Sequence, residues 1–160
     1  YSGNYGYPSE EGLIDDTNSV IDFLKLKQGI DTKAMDFEAH SLGCAVLLNT
    51  LAKRVSSNAD ESYGDLLLMS PFKNMRAEAE SKYMPKFLSY FITDKWDSFD
   101  ALPKLTGRVN CIRFLHGKAD KVVPSKHSNE LHEQALKHSI NSELIKLENI
   151  GHNNIRRDMK

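Results

Sequence analysis

The sequence predicts an α/β fold, in which a mostly parallel sheet carries helices on both faces. Two observations support this fold class. Short apolar runs of strand length alternate along the chain with longer segments whose apolar residues recur at helical spacing, and such alternation is typical of parallel sheets. One of these runs, residues 66–69, is apolar throughout and ends at Ser70-Pro71, which indicates a strand buried on both faces.

Composition places the chain among ordinary globular proteins. Its 160 residues are 40% hydrophobic and 27% charged, so we expect one domain over residues 1–160. The formal net charge of −1 provides no field that attracts nucleic acid, and we expect no nucleic-acid partner. No apolar run reaches the roughly 18 to 20 residues that span a bilayer, and the first residues do not resemble a secretion signal. We therefore expect a soluble protein without a transmembrane segment, and favour an intracellular one.

The first half of the chain predicts helix, strand and helix in direct succession. Ser9 is a candidate N-cap followed by two acidic residues, and Gln28-Gly29 ends the helix that begins there. Residues 34–39 are too few for a helix and predict a strand. Residues 42–55 are apolar on much of the helical circumference and predict a buried helix.

Two charged residues, Asp36 and Glu38, are unusual in the predicted strand. They lie two positions apart and therefore on one face, where an unpaired charge in a central strand is costly. Either cations meet these carboxylates or this face of the strand is open.

A less regular segment follows. Residues 77–82 predict a helix, which Pro85 interrupts, and aromatic residues crowd the stretch 87–99. We expect a lid-like or flanking segment around residues 73–105. Its aromatic side chains are expected to belong to the core or to the surface of a lid, and the alternative is that they form the wall of an acyl-binding site.

The last part of the chain again alternates strand and helix. Residues 109–115 predict a strand, Pro124 marks the start of a helix, and residues 143–147 predict a final short strand. Because the carboxyl ends of parallel strands meet at one edge of a sheet, the loops after these strands are expected to lie close together.

Ser41 lies where the first predicted strand gives way to the buried helix. In Ala39-His40-Ser41-Leu42-Gly43, a tight turn at this point directs the serine hydroxyl out of the fold, and Gly43 is expected to keep the turn uncrowded. The N–H of Leu42 lies at a helix N-terminus, where it can stabilise the oxyanion of an acyl-transfer intermediate. Alternatively, Ser41 is a plain helix N-cap.

Two later residues can activate a serine, which needs a base and a third group that orients the base. Asp120 follows the strand at residues 109–115, and His152 follows the last strand, so both lie at the same sheet edge as Ser41. Taken singly, Asp120 could be a turn residue and His152 a loop histidine.

With these residues in the order serine, acid, histidine, the sequence resembles the α/β-hydrolase superfamily, in particular its small esterases, lipases and acyl-thioesterases. The segments that carry the resemblance are residues 8–13, His40-Ser41-Leu42-Gly43, His116-Gly117 with Asp120 and Val122-Val123-Pro124, and Gly151-His152-Asn153. The resemblance implies that Ser41 is the nucleophile, Asp120 the acid and His152 the general base. It also implies an oxyanion N–H from Leu42, no cofactor, and a small acyl-ester or thioester substrate.

The sequence departs from the family pattern in two ways. Ala39 stands where glycine is usual. The family's earlier strands, the loop with the second oxyanion donor and the closing helix have no counterpart here, so both ends look cut. These departures support a second hypothesis, in which a truncated or degenerate hydrolase domain acts as a non-catalytic structural or assembly subunit and a protein partner covers its incomplete sheet.

The cysteines and the other histidines predict no metal site. Cys44 and Cys111 lie far apart in apolar surroundings and are expected to be buried free thiols. His127 and His132 are five positions apart and do not share a helical stripe. Five histidines are expected to be structural or solvated: His40, His116, His127, His132 and His138.

Overall fold

Four parallel strands form the centre of the fold. The computed structural model describes residues 9–82 and 95–155. The strands lie side by side in chain order as β1 (Phe37–His40), β2 (Tyr63–Met69), β3 (Val109–Gly117) and β4 (Ser142–Leu147). The helices are α1 (Glu10–Gln28), α2 (Leu42–Ser57), α3 (Met75–Lys82), α4 (Ser98–Ala101) and α5 (Lys126–Lys137), with 3-10 turns at Thr32–Ala34 and Leu102–Leu105. The predicted α/β fold with a parallel sheet is confirmed.

The main core lies between one face of the sheet and the helices. Because successive side chains of a strand point to opposite faces, the two central strands contribute alternate residues, which are fully buried: Leu66, Leu68, Ile112 and Phe114. Helices α1, α2, α4 and α5 pack on these side chains with Ile21, Leu47, Leu48, Leu51, Ala101, Leu131 and Ala135. On the opposite face, Met69 and Leu115 pack with Ile155. This packing holds the strands in register, so that their carboxyl ends align.

The first strand begins later than predicted, at Phe37. Residues Thr32–Ala34 form a 3-10 turn instead, since the Asp31 side chain caps that turn by accepting a hydrogen bond from Lys33 N–H at 3.0 Å. Asp36 therefore lies outside the strand, where its carboxylate accepts a hydrogen bond from Asp65 N–H at 2.7 Å. Glu38 lies on the strand but is exposed, which lowers the cost of its charge.

The predicted flanking segment, residues 73–105, is described only in part. Its residues 87–92, which include most of the aromatic group, lie outside the described residues. Trp96 is buried and packs with Ala45, and Phe99 packs against the main core. Trp96 and Phe99 therefore belong to the core, which is the role preferred for the aromatic group in the sequence analysis.

Both cysteines are buried and free of disulfide bonds, as predicted. Burial raises the pKa of the Cys44 thiol far above its ordinary value, so this thiol stays protonated beside Ser41.

Within residues 9–82 and 95–155, no helix has the length and apolar character needed to cross a bilayer. The same residues contain no cluster of three or more His, Cys, Asp and Glu side chains suited to hold a metal ion.

Candidate active site

The structure brings together Ser41, Asp120 and His152, the three residues singled out from the sequence. They follow β1, β3 and β4 respectively and lie at the carboxyl edge of the sheet. Ser41 Oγ lies 3.0 Å from His152 Nε2, and His152 Nδ1 lies 2.8 Å from Asp120 Oδ2. The three side chains therefore form one continuous chain of hydrogen bonds.

The chemistry of the carboxylate sets the direction of these hydrogen bonds. An ionised carboxylate only accepts, so His152 Nδ1–H donates to Asp120. In a neutral imidazole the other nitrogen, Nε2, is then unprotonated and accepts a hydrogen bond from the Ser41 hydroxyl. This is the tautomer in which a histidine can take a proton from serine.

The backbone at Ser41 is strained. Its φ of 53° and ψ of −120° lie in a region that non-glycine residues rarely occupy, at a cost on the order of 1–3 kcal/mol. Ser41 N–H donates to Met69 O at 2.9 Å, and Cys44 N–H donates to Ser41 O at 3.0 Å. The Ser41 side chain makes no cap hydrogen bond to α2. The plain N-cap alternative is therefore wrong, and the hydroxyl is directed to His152 instead.

The helix that follows Ser41 supplies a backbone donor. Leu42 is the first residue of α2, and the first N–H groups of a helix have no partner within it. The helix dipole adds partial positive charge at this end, which suits the N–H to an oxyanion formed at Ser41. Gly43, expected to keep the turn uncrowded, faces open space, because a Cβ built there would meet no atom within 4 Å. Crowding therefore does not explain glycine at this position.

Asp120 is a buried carboxylate surrounded by hydrogen-bond donors. Its side chain has no exposed area. Oδ1 accepts hydrogen bonds from the backbone N–H groups of Val122 and Val123, both at 2.8 Å. Oδ2 accepts hydrogen bonds from Ser70 Oγ and from His152, each at 2.8 Å. Both carboxylate oxygens are therefore fixed in direction.

The same donors control the ionisation of Asp120. Burial alone raises the pKa of this carboxyl, but hydrogen bonds from His116, from Val123 N–H and from the side chains of His152 and Ser70 outweigh burial and hold the pKa below its usual range. His116 Nε2–H points between Val123 O at 2.9 Å and Asp120 Oδ2 at 3.4 Å. Asp120 therefore remains ionised opposite His152.

His40 and Ser70, which were not among the predicted catalytic residues, also hold the site. His40 Nε2–H donates to the backbone oxygen of His152 at 2.9 Å, and the two rings lie 4.7 Å apart, which agrees with the structural role expected for His40. Ser70, which contacts Asp120, was missed entirely. The available signal was its position after an apolar run, which places it at the same sheet edge as Ser41.

Gly117 allows the loops of Asp120 and His152 to approach each other. A Cβ built at Gly117 would overlap the carbonyl oxygen of Ile150. Next to this contact, Ala119 N–H donates to Ile150 O at 3.0 Å. The absence of a side chain at Gly117 therefore helps to set the distance between the imidazole and the carboxylate.

Curated proteins of similar sequence include two that carry hydrolase names. The chain is 29% identical over 143 residues to alpha/beta hydrolase domain-containing protein WAV2 of Arabidopsis thaliana, a match that covers 84% of this chain and 46% of WAV2. It is 31% identical over 141 residues to lysophosphatidylserine lipase ABHD12 of Danio rerio, with 81% of this chain and 36% of that protein covered. The chain thus spans less than half the length of either relative. No protein-family model matches the sequence.

A solved structure shares the fold. The crystal structure of an alpha-beta hydrolase from Vibrio vulnificus superposes with a TM-score of 0.78 at 19% sequence identity, over 96% of this chain and 55% of that chain. The arrangement of strands and helices described above is therefore found in a hydrolase of known structure.

We predict that Gly117→Ala destabilises the chain, because the new methyl group and the Ile150 carbonyl cannot occupy the same space. The expected loss in the free energy of unfolding is about 1–3 kcal/mol, the usual cost of overpacking, and chemical denaturation measures it. Gly43→Ala is the matched control, since the same change there meets open space, and it should be neutral or raise stability by up to about 1 kcal/mol. Equal stability of the two variants would contradict this role for Gly117.

Proposed function

Because the chain belongs to the α/β-hydrolase superfamily, we propose that it is a serine hydrolase that cleaves a carboxylic ester or thioester through an acyl-enzyme. The observation that carries this proposal is the chain of hydrogen bonds from Ser41 through His152 to Asp120. These side chains supply the nucleophile, the general base and the orienting acid that acyl transfer requires.

In the proposed reaction, Ser41 Oγ attacks the acyl carbonyl carbon while His152 Nε2 takes the hydroxyl proton. The ionised Asp120 stabilises the imidazolium and keeps its orientation, without taking the proton itself. The N–H of Leu42 donates a hydrogen bond to the oxyanion of the tetrahedral intermediate. When the intermediate collapses, His152 gives its proton to the leaving alcohol or thiol, and Ser41 remains acylated.

Deacylation repeats these roles with water as the nucleophile. His152 Nε2 takes a proton from water as it attacks the acyl carbon, and then returns a proton to Ser41 Oγ as the carboxylic acid is released. Every proton in this cycle moves between side chains, water and the leaving group. The proposal therefore requires no cofactor.

Within this substrate class, a lipid acyl ester is favoured by the names of the relatives. ABHD12 of Danio rerio is named a lysophosphatidylserine lipase, and the same name belongs to a Bos taurus relative that is 32% identical over 147 residues. We extend only the lipase class to this chain. A thioester would react through the same steps, because the serine nucleophile and the oxyanion donor act on the acyl carbonyl in both substrates.

A second candidate function is that of a non-catalytic structural or assembly subunit, and the outer edge of β1 favours it. Among the described residues, β1 pairs with β2 alone. A groove of about 560 Å³ lies between this edge and α1, and Val20 is among its lining residues. Val20 also belongs to an apolar stripe on α1 with Phe23 and Leu26, and these three side chains are exposed by 60%, 54% and 75%. Unpaired strand edges and exposed apolar patches are typical surfaces for binding another protein. In this candidate function, a protein partner covers the edge.

We predict that a fluorophosphonate probe labels the natural chain and that Ser41→Ala abolishes labelling, because the probe reacts only with an activated serine. Turnover of an ester substrate should fall by a factor on the order of 10^6, as it does when a triad serine is removed elsewhere. Ser57→Ala, an exposed serine at the end of α2, is the matched control and should keep full labelling. A folded natural chain that is not labelled would instead favour the non-catalytic candidate.

We also predict that the chain self-associates through the apolar stripe of α1 when no partner covers it. Light scattering should show a mass above that of the 18.1 kDa monomer, and Phe23→Lys should lower that mass, because a charge on the stripe opposes burial. Leu136→Lys is the control, since Leu136 is 55% exposed but lies on α5 rather than on the stripe of α1. A stable monomer of the natural chain would refute this prediction.

A further inference from the structure

Besides the hydrogen bond from His152, Asp120 receives one from the side chain of Ser70. Ser70 Oγ lies 2.8 Å from Asp120 Oδ2, the same oxygen that accepts from His152 Nδ1. Because an ionised carboxylate only accepts, the Ser70 hydroxyl is the donor. Ser70 is completely buried, so water does not compete for this hydrogen bond.

We infer that Ser70 is a positioning residue, which holds Oδ2 of Asp120 toward His152 so that the imidazole keeps its orientation toward Ser41. This inference rests on the proposed function, since the reaction gives that orientation its purpose. Ser70 itself does not touch the reacting atoms. It acts through Asp120.

The neighbour of Ser70 in the chain holds the other end of the site. Met69 O accepts the hydrogen bond from Ser41 N–H at 2.9 Å, while Ser70 Oγ holds Asp120. The end of β2 thus contacts the nucleophile through one residue and the acid through the next. Together with His152, these contacts close a ring that runs from Ser41 through His152, Asp120, Ser70 and Met69 back to Ser41.

The backbone of Ser70 is consistent with a role for its side chain. Its φ of 46° lies in the left-handed region, which glycine adopts without strain and serine does not. Ser70 N–H donates to Leu115 O at 2.9 Å, which ties this conformation to β3. Strained non-glycine residues cluster at functional sites, and at this position the side chain supplies a hydroxyl that glycine lacks.

The inference is tested on the whole chain with Ser70→Ala and Ser70→Gly. Both variants remove the hydroxyl, and glycine also relieves the positive φ, so an effect common to both comes from the hydroxyl. Ser98→Ala is the matched control. Ser98 is equally buried, and its hydroxyl has no hydrogen-bond partner among the described residues.

The first readout is the NMR signal of the His152 Nδ1 proton, identified by its absence from His152→Gln. Without Ser70, Oδ2 has one donor fewer to fix its direction and its alignment with His152 Nδ1–H becomes less strict, so this signal should move upfield in both Ser70 variants and stay in place in Ser98→Ala. A purely structural role for Ser70 would not move it. The second readout is the rate at which a fluorophosphonate modifies Ser41, which should fall about tenfold, as expected for one lost hydrogen bond to a charged group.

The two readouts separate this inference from the proposed function. If the natural chain is not modified by the probe but the Nδ1 signal moves upfield in both variants, the hydrolase proposal fails and the role of Ser70 stands. If the natural chain is modified, and both Ser70 variants match it in rate and in chemical shift, the role of Ser70 is overturned and the hydrolase proposal stands.

Discussion

The ionised carboxylate of Asp120 has no exposed area, and a buried charge is tolerated only where hydrogen-bond donors surround it. Its donors come from four places: the residue after β2, His116 near the end of β3, the turn that follows Asp120 itself, and the loop after β4. A rearrangement that withdrew any of these donors would leave part of the charge unpaired in the interior. The need to satisfy one carboxylate therefore couples the folding of the sheet edge to the geometry of the candidate site.

The parallel sheet is what brings the donors to one place. Since all four strands run in the same direction in chain order, the segments that follow them emerge side by side. Ser41, Ser70, Asp120 and His152 each follow a different strand. The close contact between Gly117 and Ile150 holds the loop after β4 against the end of β3. The hydrogen bond from His40 to the His152 backbone holds the same loop against the end of β1. The geometry of the site therefore depends on the whole edge of the sheet, although Ser41 is the proposed nucleophile.

Local signals made three of these residues predictable from the sequence. Ser41 lies between a predicted strand and an apolar helix, and Asp120 and His152 each follow a predicted strand, so the alternation of strands and helices placed them at one edge. The same signal places Ser70 at this edge, but a serine before proline is an ordinary strand end, and no local pattern indicates its contact with Asp120, 50 positions away. The start of β1 was also predicted wrongly, since the hydrogen bond from Lys33 N–H to Asp31 converts the preceding residues into a turn. Contacts between distant loops depend on the assembled sheet, which no local pattern contains.

The central claim is that Asp120 orients His152 so that the imidazole can take the Ser41 proton. The most direct measurement compares the rate of fluorophosphonate modification of Ser41 in the natural chain and in Asp120→Asn. An asparagine at this position can donate to Nδ1 and so favour the other tautomer, which presents Nε2–H to Ser41. We expect the rate to fall by about 10^4-fold, which is the loss in turnover that the same substitution causes in a serine protease. A folded Asp120→Asn variant that reacts as fast as the natural chain would contradict the claim.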